Sequence, residues 1–196
     1  MHAGADGSTH PSPKAQTMLD KHTWYILKHL HHNVATQQAA RIDAGERLTS
    51  QAFLVSQPDN QAGQASMNVA EISADFIADL LAKDEGERLL AKYLADALHE
   101  GSLIQQQIAQ EHGFAASYTL LVQETLLPAE VPEAAPRPAL MVLLNGKGMT
   151  LPIFHWIETL PGGQRRCHLR AFPELQEIEA VQHMLQARMQ QNTTLH

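Results

Sequence analysis

Residues 139–159 read ALMVLLNGKGMTLPIFHWIET, and this stretch decides the fold. Two runs of apolar, strand-forming residues flank the turn at residues 145–148, which begins with Asn145 and Gly146. Asn and Gly tolerate the positive φ angles that a tight hairpin turn requires, so this is the strongest hairpin signal in the chain. The stretch therefore predicts two antiparallel strands joined by a short turn.

Strand signals lie on both sides of this hairpin. Upstream, residues 118–127 (YTLLVQETLL) are rich in β-favouring side chains and stop at Pro128. This pattern favours a strand, and a helix is the alternative. Downstream, a turn at residues 161–163 leads into residues 166–172, where apolar and basic side chains alternate. We expect residues 118–172 to form an antiparallel meander of three to four strands.

Helical spacing dominates the first half of the chain. Apolar side chains recur at every third or fourth position from about residue 14 to Ile42, which predicts one long helix, or two, ending at Gly45. The same spacing returns over residues 73–113, with a break at Gly86. Residues 51–56, between these regions, predict a short strand.

The end of the chain predicts one more helix. Pro173 suits the first helical position, where its missing N–H costs nothing, and an apolar stripe follows it. We therefore expect an α+β fold with N-terminal helices, an antiparallel β-meander and a C-terminal helix packed on the sheet. Its expected parts are a disordered tail (1–13), a single domain (14–190) made of a helical part (14–113), a meander (118–172) and a closing helix (173–190), and a frayed tail (191–196).

Composition limits the possible classes of protein. Of 196 residues, 44% are hydrophobic and 18% are charged, as in an ordinary globular domain. The single cysteine, Cys167, cannot form an internal disulfide, which is typical of a reducing compartment. No apolar run is long enough for a signal peptide or a membrane span. We expect a cytoplasmic protein with no membrane partner.

Charge is segregated along the chain. Residues 59–133 hold thirteen Asp or Glu against three Lys or Arg, whereas residues 134–172 hold five Lys or Arg against Glu158 alone. This contrast predicts a basic β-sheet face that captures a partner. Its expected residues are Lys147, Arg165, Arg166, His168 and Arg170. We interpret the chain as a non-catalytic adaptor or regulatory protein that acts as a homodimer. Its expected partner is another protein, with nucleic acid as the alternative.

A winged-helix DNA-binding regulator is the alternative interpretation, because residues 107–120 resemble a helix-turn-helix. The residues that would carry DNA binding are Ala109, Gly113, Ser117, Tyr118 and, on the wing, Lys147. The second helix would offer no Arg or Lys to bases or phosphates, however, and the acidic residues before it would repel DNA. A helix that ends at Gly113 and is followed by a strand is the simpler interpretation.

No residue pattern indicates catalysis or a cofactor. Cys167 alternates with basic neighbours, which predicts a small core residue rather than a nucleophile. His22, His29 and His32 would share one side of a helix, but neither a cysteine nor clustered carboxylates complete a ligand set for a metal. We therefore expect no catalytic residue, no metal and no cofactor, and we interpret these histidines as solvated.

Overall fold

A computed structural model of the chain describes residues 20–59, 66–128, 135–146 and 149–177. These residues form helices packed on both faces of one antiparallel sheet. The helices are α1 (Lys21–Asp43), α2 (Ala74–Leu81), α3 (Gly86–Leu98) and α4 (Leu103–His112). The strands are β1 (Gln51–Ser56), β2 (Val69–Glu71), β3 (Ala116–Leu127), β4 (Arg137–Gly146), β5 (Met149–Thr159) and β6 (Arg165–His168).

The strands lie in the order β2-β1-β3-β4-β5-β6, and every neighbouring pair is antiparallel. The strands β3 to β6 follow one another along the chain and across the sheet, which confirms the meander, and β1 confirms the strand at residues 51–56. The expected count of three to four strands is wrong, because β1 and β2 extend the same sheet to six. The strand β2 has only three residues, too few to show an alternating pattern.

Helix α1 begins and ends as its sequence dictates. The Asp20 carboxylate accepts hydrogen bonds from the backbone N–H groups of His22 and Thr23, which have no partner inside the helix. At the other end, Gly45 takes a φ of 83°, which confirms it as the residue that follows the helix. One side of α1 is buried, and its members there include Trp24, Leu27 and His31.

The two faces of the sheet are covered differently. We call the face that packs against α1 the inner face; its core includes Val55, Tyr118 and Leu144. On the opposite, outer face, Leu54 and Leu121 pack with the buried residues of the helices α2 to α4. Those three helices contact β1 and β3, the strands at one end of the sheet. The fold is therefore α+β, with a sheet between a long helix and a group of short ones.

The predicted closing helix is described only at its start. Residues 175–177 form one helical turn, in which Leu175 packs against the core beside α1. Glu174 forms an ion pair with Lys28 of α1, with 2.7 Å between Nζ and Oε1. This segment therefore lies on the α1 side of the sheet. The rest of the predicted helix, residues 178–190, lies outside the described residues, as do both predicted tails.

None of the helices in the described ranges combines the length and the apolar character that a membrane span needs.

Replacing Gly86 with alanine should destabilise the protein, because the new Cβ would lie 2.6 Å from Leu80 O and from Leu81 Cα. Overpacking of this kind costs about 1–3 kcal/mol of unfolding free energy. Helix propensity alone would favour alanine by about 1 kcal/mol. Urea denaturation separates the two effects by sign, and a higher midpoint for Gly86→Ala than for the wild type would contradict the close α2–α3 packing.

Candidate functional site

The structure does not gather the predicted basic residues on one face. Arg165 and Arg166 are consecutive in β6, so their side chains point to opposite faces of the sheet. Arg165 lies on the inner face and pairs with Glu124 of β3, with 2.5 Å between Nη2 and Oε2. Arg166 is exposed on the outer face, directly across from Glu158 of β5. The prediction of a single basic face is therefore wrong for Arg165.

The remaining predicted residues divide further. The ring Nε2 of His168 lies 2.9 Å from Oε2 of Glu158 on the outer face. Arg170 follows the end of β6, and its backbone N–H donates to Nδ1 of His155 over 3.0 Å. Lys147 lies outside the described residues. Of the predicted residues that the structure describes, Arg166 and His168 come together on the outer face, and Glu158 lies beside both.

The outer face carries a group of apolar side chains that sequence analysis did not single out. Met141 of β4 is the register partner of Phe154 of β5, and Trp156 lies two residues further along β5. All three are partly exposed, and within the described residues none packs with either buried cluster. We call these three residues, with the rim of Glu158, Arg166 and His168, the β4–β6 outer face.

Among the described helices, the three short ones do not reach this surface. They contact β1 and β3, and Leu143 is the position on β4 where their packing ends. A surface with a tryptophan and a phenylalanine at its centre and charged groups at its edge has the composition of a protein–protein interface. The β4–β6 outer face is therefore the candidate site.

A sequence signal for this surface did exist. In β5 the inward row Ile153, His155 and Ile157 is buried, yet the outward row also contains Phe154 and Trp156. A strand that is apolar on both sides needs cover on both faces. The hairpin pattern alone could not show that the described helices would cover only one of them.

A buried histidine pair lies under this site, on the inner face. His31 of α1 and His155 of β5 are 2% and 0% exposed, and their ring centroids are 5.2 Å apart. Phe172 stacks against His31 at 4.8 Å and against Trp24 at 4.7 Å. Among the described residues, neither histidine has a hydrogen-bond partner for its Nε2. This cluster attaches the segment after β6 to α1.

Burial sets the protonation state of the pair. It lowers the pKa of His31 to about 3, with smaller contributions from the nearby His155 and His32. Burial, followed by the positive charge of Arg170, lowers the pKa of His155 to about 4. Both rings are therefore neutral near pH 7. His31 is a residue that the sequence analysis passed over in favour of its exposed neighbours.

The remaining candidate residues are Cys167 and three histidines of α1. Cys167 is partly buried against the core, and burial, reinforced by Asp43, raises the pKa of its thiol to about 11. His22, His29 and His32 are exposed on α1. Within the described ranges, no three His, Cys, Asp or Glu residues are placed to hold a metal ion.

The helix-turn-helix interpretation is wrong. Helix α4 contains the partly buried Ala109 and ends at Gly113, whose φ is 77°. The next element is the strand β3, in which Ser117 is partly exposed and Tyr118 is fully buried toward α1. A strand paired on both sides cannot enter a DNA groove as a recognition helix. The simpler prediction, a glycine-ended helix followed by a strand, is confirmed.

Comparison of the chain with models of protein families, with curated proteins and with solved structures gave no match in any of the three.

The adjacent arginines of β6 allow a matched test of this geometry. Arg165→Ala should lower the unfolding free energy by about 1–2 kcal/mol, because it leaves the half-buried Glu124 without its cation. Arg166→Ala, on the exposed outer face, should change it by less than about 0.5 kcal/mol. Chemical denaturation of both variants measures the difference, and equal effects would contradict the assignment of the two side chains to opposite faces.

Protein stability should fall in mild acid because of the histidine pair. In the unfolded chain the two histidines have pKa values near 6.5, whereas in the folded protein they bind protons only at about pH 4 and about pH 3. The unfolded state therefore binds more protons below pH 6.5. The stability that the neutral pair has above pH 6.5 is lost as the pH falls from 6.5 toward 3. His31→Leu should flatten the decline of unfolding free energy across that window.

His29→Leu is the control for this experiment, since it removes an exposed histidine from the same helix and leaves the buried pair in place. A decline in His31→Leu that is as steep as in His29→Leu, or steeper, would show that the pair is not what destabilises the protein in acid.

Proposed function

We propose that this protein is a non-catalytic adaptor that acts as a homodimer, with the β4–β6 outer face as the surface that binds the second copy. The observation that carries the proposal is the partial exposure of Met141, Phe154 and Trp156 on a sheet face that α2, α3 and α4 do not cover. Buried aromatic residues at the centre of an interface supply most of its binding energy.

Charge supports a second copy as the occupant. A two-fold interface places the same patch on both chains, so a patch of one sign repels itself. The rim of this face holds Glu158 together with Arg166 and His168, and it therefore carries both signs. The acidic helices offer no such balance, and the chain as a whole has a net charge of −7.

The chemistry of the reactive side chains supports a binding role rather than catalysis. The Cys167 thiol has a raised pKa, so it is largely protonated at neutral pH and is a weak nucleophile. The two buried histidines are neutral and lie in the core, under the inner face. Neither arrangement suits a group that must exchange protons with a substrate.

Trp156→Ala should shift the protein from dimer to monomer. Loss of a central tryptophan costs about 2 kcal/mol or more of binding energy, so we expect the dimer to dissociate at concentrations about thirtyfold higher than in the wild type. Sedimentation velocity over a wide range of protein concentration measures this directly.

Tyr25→Ala is the matched control, because Tyr25 is an aromatic residue on α1, across the sheet from the proposed interface, and is 59% exposed. It should dimerise as the wild type does. A wild type that stays monomeric at every concentration would contradict the proposal, as would a Trp156→Ala variant that dimerises as well as the wild type.

A further inference from the structure

The helices α2 and α3 form a second surface that the proposed dimer does not use. Phe76 of α2 is 37% exposed, and its ring centroid lies 4.9 Å from that of Tyr93 on α3. Leu89, which is 36% exposed, lies one helical turn before Tyr93 on the same side of α3. We call these three residues the α2–α3 seam.

Two of the three seam residues, Phe76 and Leu89, lie outside the core beneath the seam, whereas Tyr93 also packs against that core. Ile77, Leu90 and Leu94 are among the buried residues of the same helices, and they pack on β1 and β3 from the outer side. Phe76 and Leu89 belong to neither buried cluster among the described residues. Both side chains are exposed to solvent. The buried row does not need an apolar residue at either position.

The charges around the seam have one dominant sign. Residues 71–112 contain nine Asp or Glu and three Lys or Arg. Two of these cations are already engaged by neighbouring carboxylates, Lys92 with Asp96 at 2.6 Å and Arg88 with Glu85 at 3.1 Å. The described part of the chain shows no ion pair for the other seven carboxylates of this region, which are Glu71, Asp75, Asp79, Asp84, Glu87, Glu100 and Glu111.

Two of those carboxylates lie close to the seam itself. Asp79 is one helical turn after Phe76 on α2, and so lies on the same side of that helix. Burial, together with the negative charge of Glu111 on α4, raises the pKa of the Tyr93 hydroxyl, which indicates that Glu111 is near it. Partly exposed apolar side chains are therefore bordered by negative charge from two helices.

We infer that the α2–α3 seam binds a basic amphipathic helix of a partner protein, with that helix's apolar row on Phe76, Leu89 and Tyr93 and its Lys and Arg residues beside the carboxylates. Charge complementarity selects this occupant. Phosphate-bearing partners, which include nucleic acids and anionic membranes, would be repelled by the same carboxylates. The inference goes beyond the proposed dimer, because it gives each subunit a separate surface for a client.

The test uses three designed helical peptides of equal length, because the natural client is unidentified. The first has leucines at helical spacing flanked by lysines; the second has glutamates for the lysines, and the third has serines for the leucines. Fluorescence anisotropy with the full-length protein should give the tightest binding for the first peptide. We expect affinities at least about tenfold weaker for the other two.

Variants of the protein locate the site. Phe76→Ala and Asp79→Lys should each weaken the first peptide by about three- to tenfold, or more. Leu103→Ala removes an 82% exposed leucine outside the seam, and Glu46→Lys makes the same charge change near the end of α1. Both should bind the peptide as the wild type does. Because the exposed positions contribute little to the core, circular dichroism and urea denaturation should show every variant folded.

Three results would overturn the inference. These are equal binding of the leucine and serine peptides, equal weakening by Asp79→Lys and Glu46→Lys, and undiminished binding by Phe76→Ala. The dimer proposal is tested separately, since Trp156→Ala should bind the basic peptide normally even where it no longer dimerises. Loss of peptide binding in that variant would show that the two surfaces are not independent.

Discussion

The packing of α1 against the inner face of the sheet is the interaction on which the rest of the structure depends. One 23-residue helix covers residues from β1 across to β6, and the segment after β6 returns to it through Phe172 and Glu174. The burial of apolar surface is the dominant favourable term in folding, and α1 buries the apolar side chains of most of the sheet's strands. Within the described residues no comparable helix covers the outer face, and β4 and β5 carry partly exposed apolar side chains there.

This asymmetry links the fold to the proposed function. Three short helices cover the outer face over β1 and β3, and their own outward side is acidic. What they leave uncovered contains Trp156 and Phe154, with charges of both signs at its rim. The outer side of the protein thus presents two surfaces of different chemistry, one on the helices and one on the sheet. A self-complementary surface suits a second copy of the chain, and an acidic one suits a basic client.

Much of the fold could be predicted from local patterns, whereas the site could not. Asn145 and Gly146 specify the β4–β5 hairpin, and Gly113 separates α4 from β3, because both signals are local. The strand β2 is too short to show a period, and the ion pair between Glu124 and Arg165 joins residues 41 positions apart. Treating Arg165 and Arg166 as one surface ignored the alternation of a strand, which already places them on opposite faces.

Fluorescence quenching of the two tryptophans, each isolated in a single-tryptophan variant, tests the central claim most directly. Trp24 lies on the buried side of α1 and is 4% exposed, and Trp156 is partly exposed on the β4–β6 outer face. The account predicts that acrylamide quenches Trp156 in dilute Trp24→Phe protein and loses access to it as the concentration rises, while Trp24 in Trp156→Phe stays shielded throughout. A Trp156 that is shielded at every dilution, or quenched equally at every concentration, would contradict it.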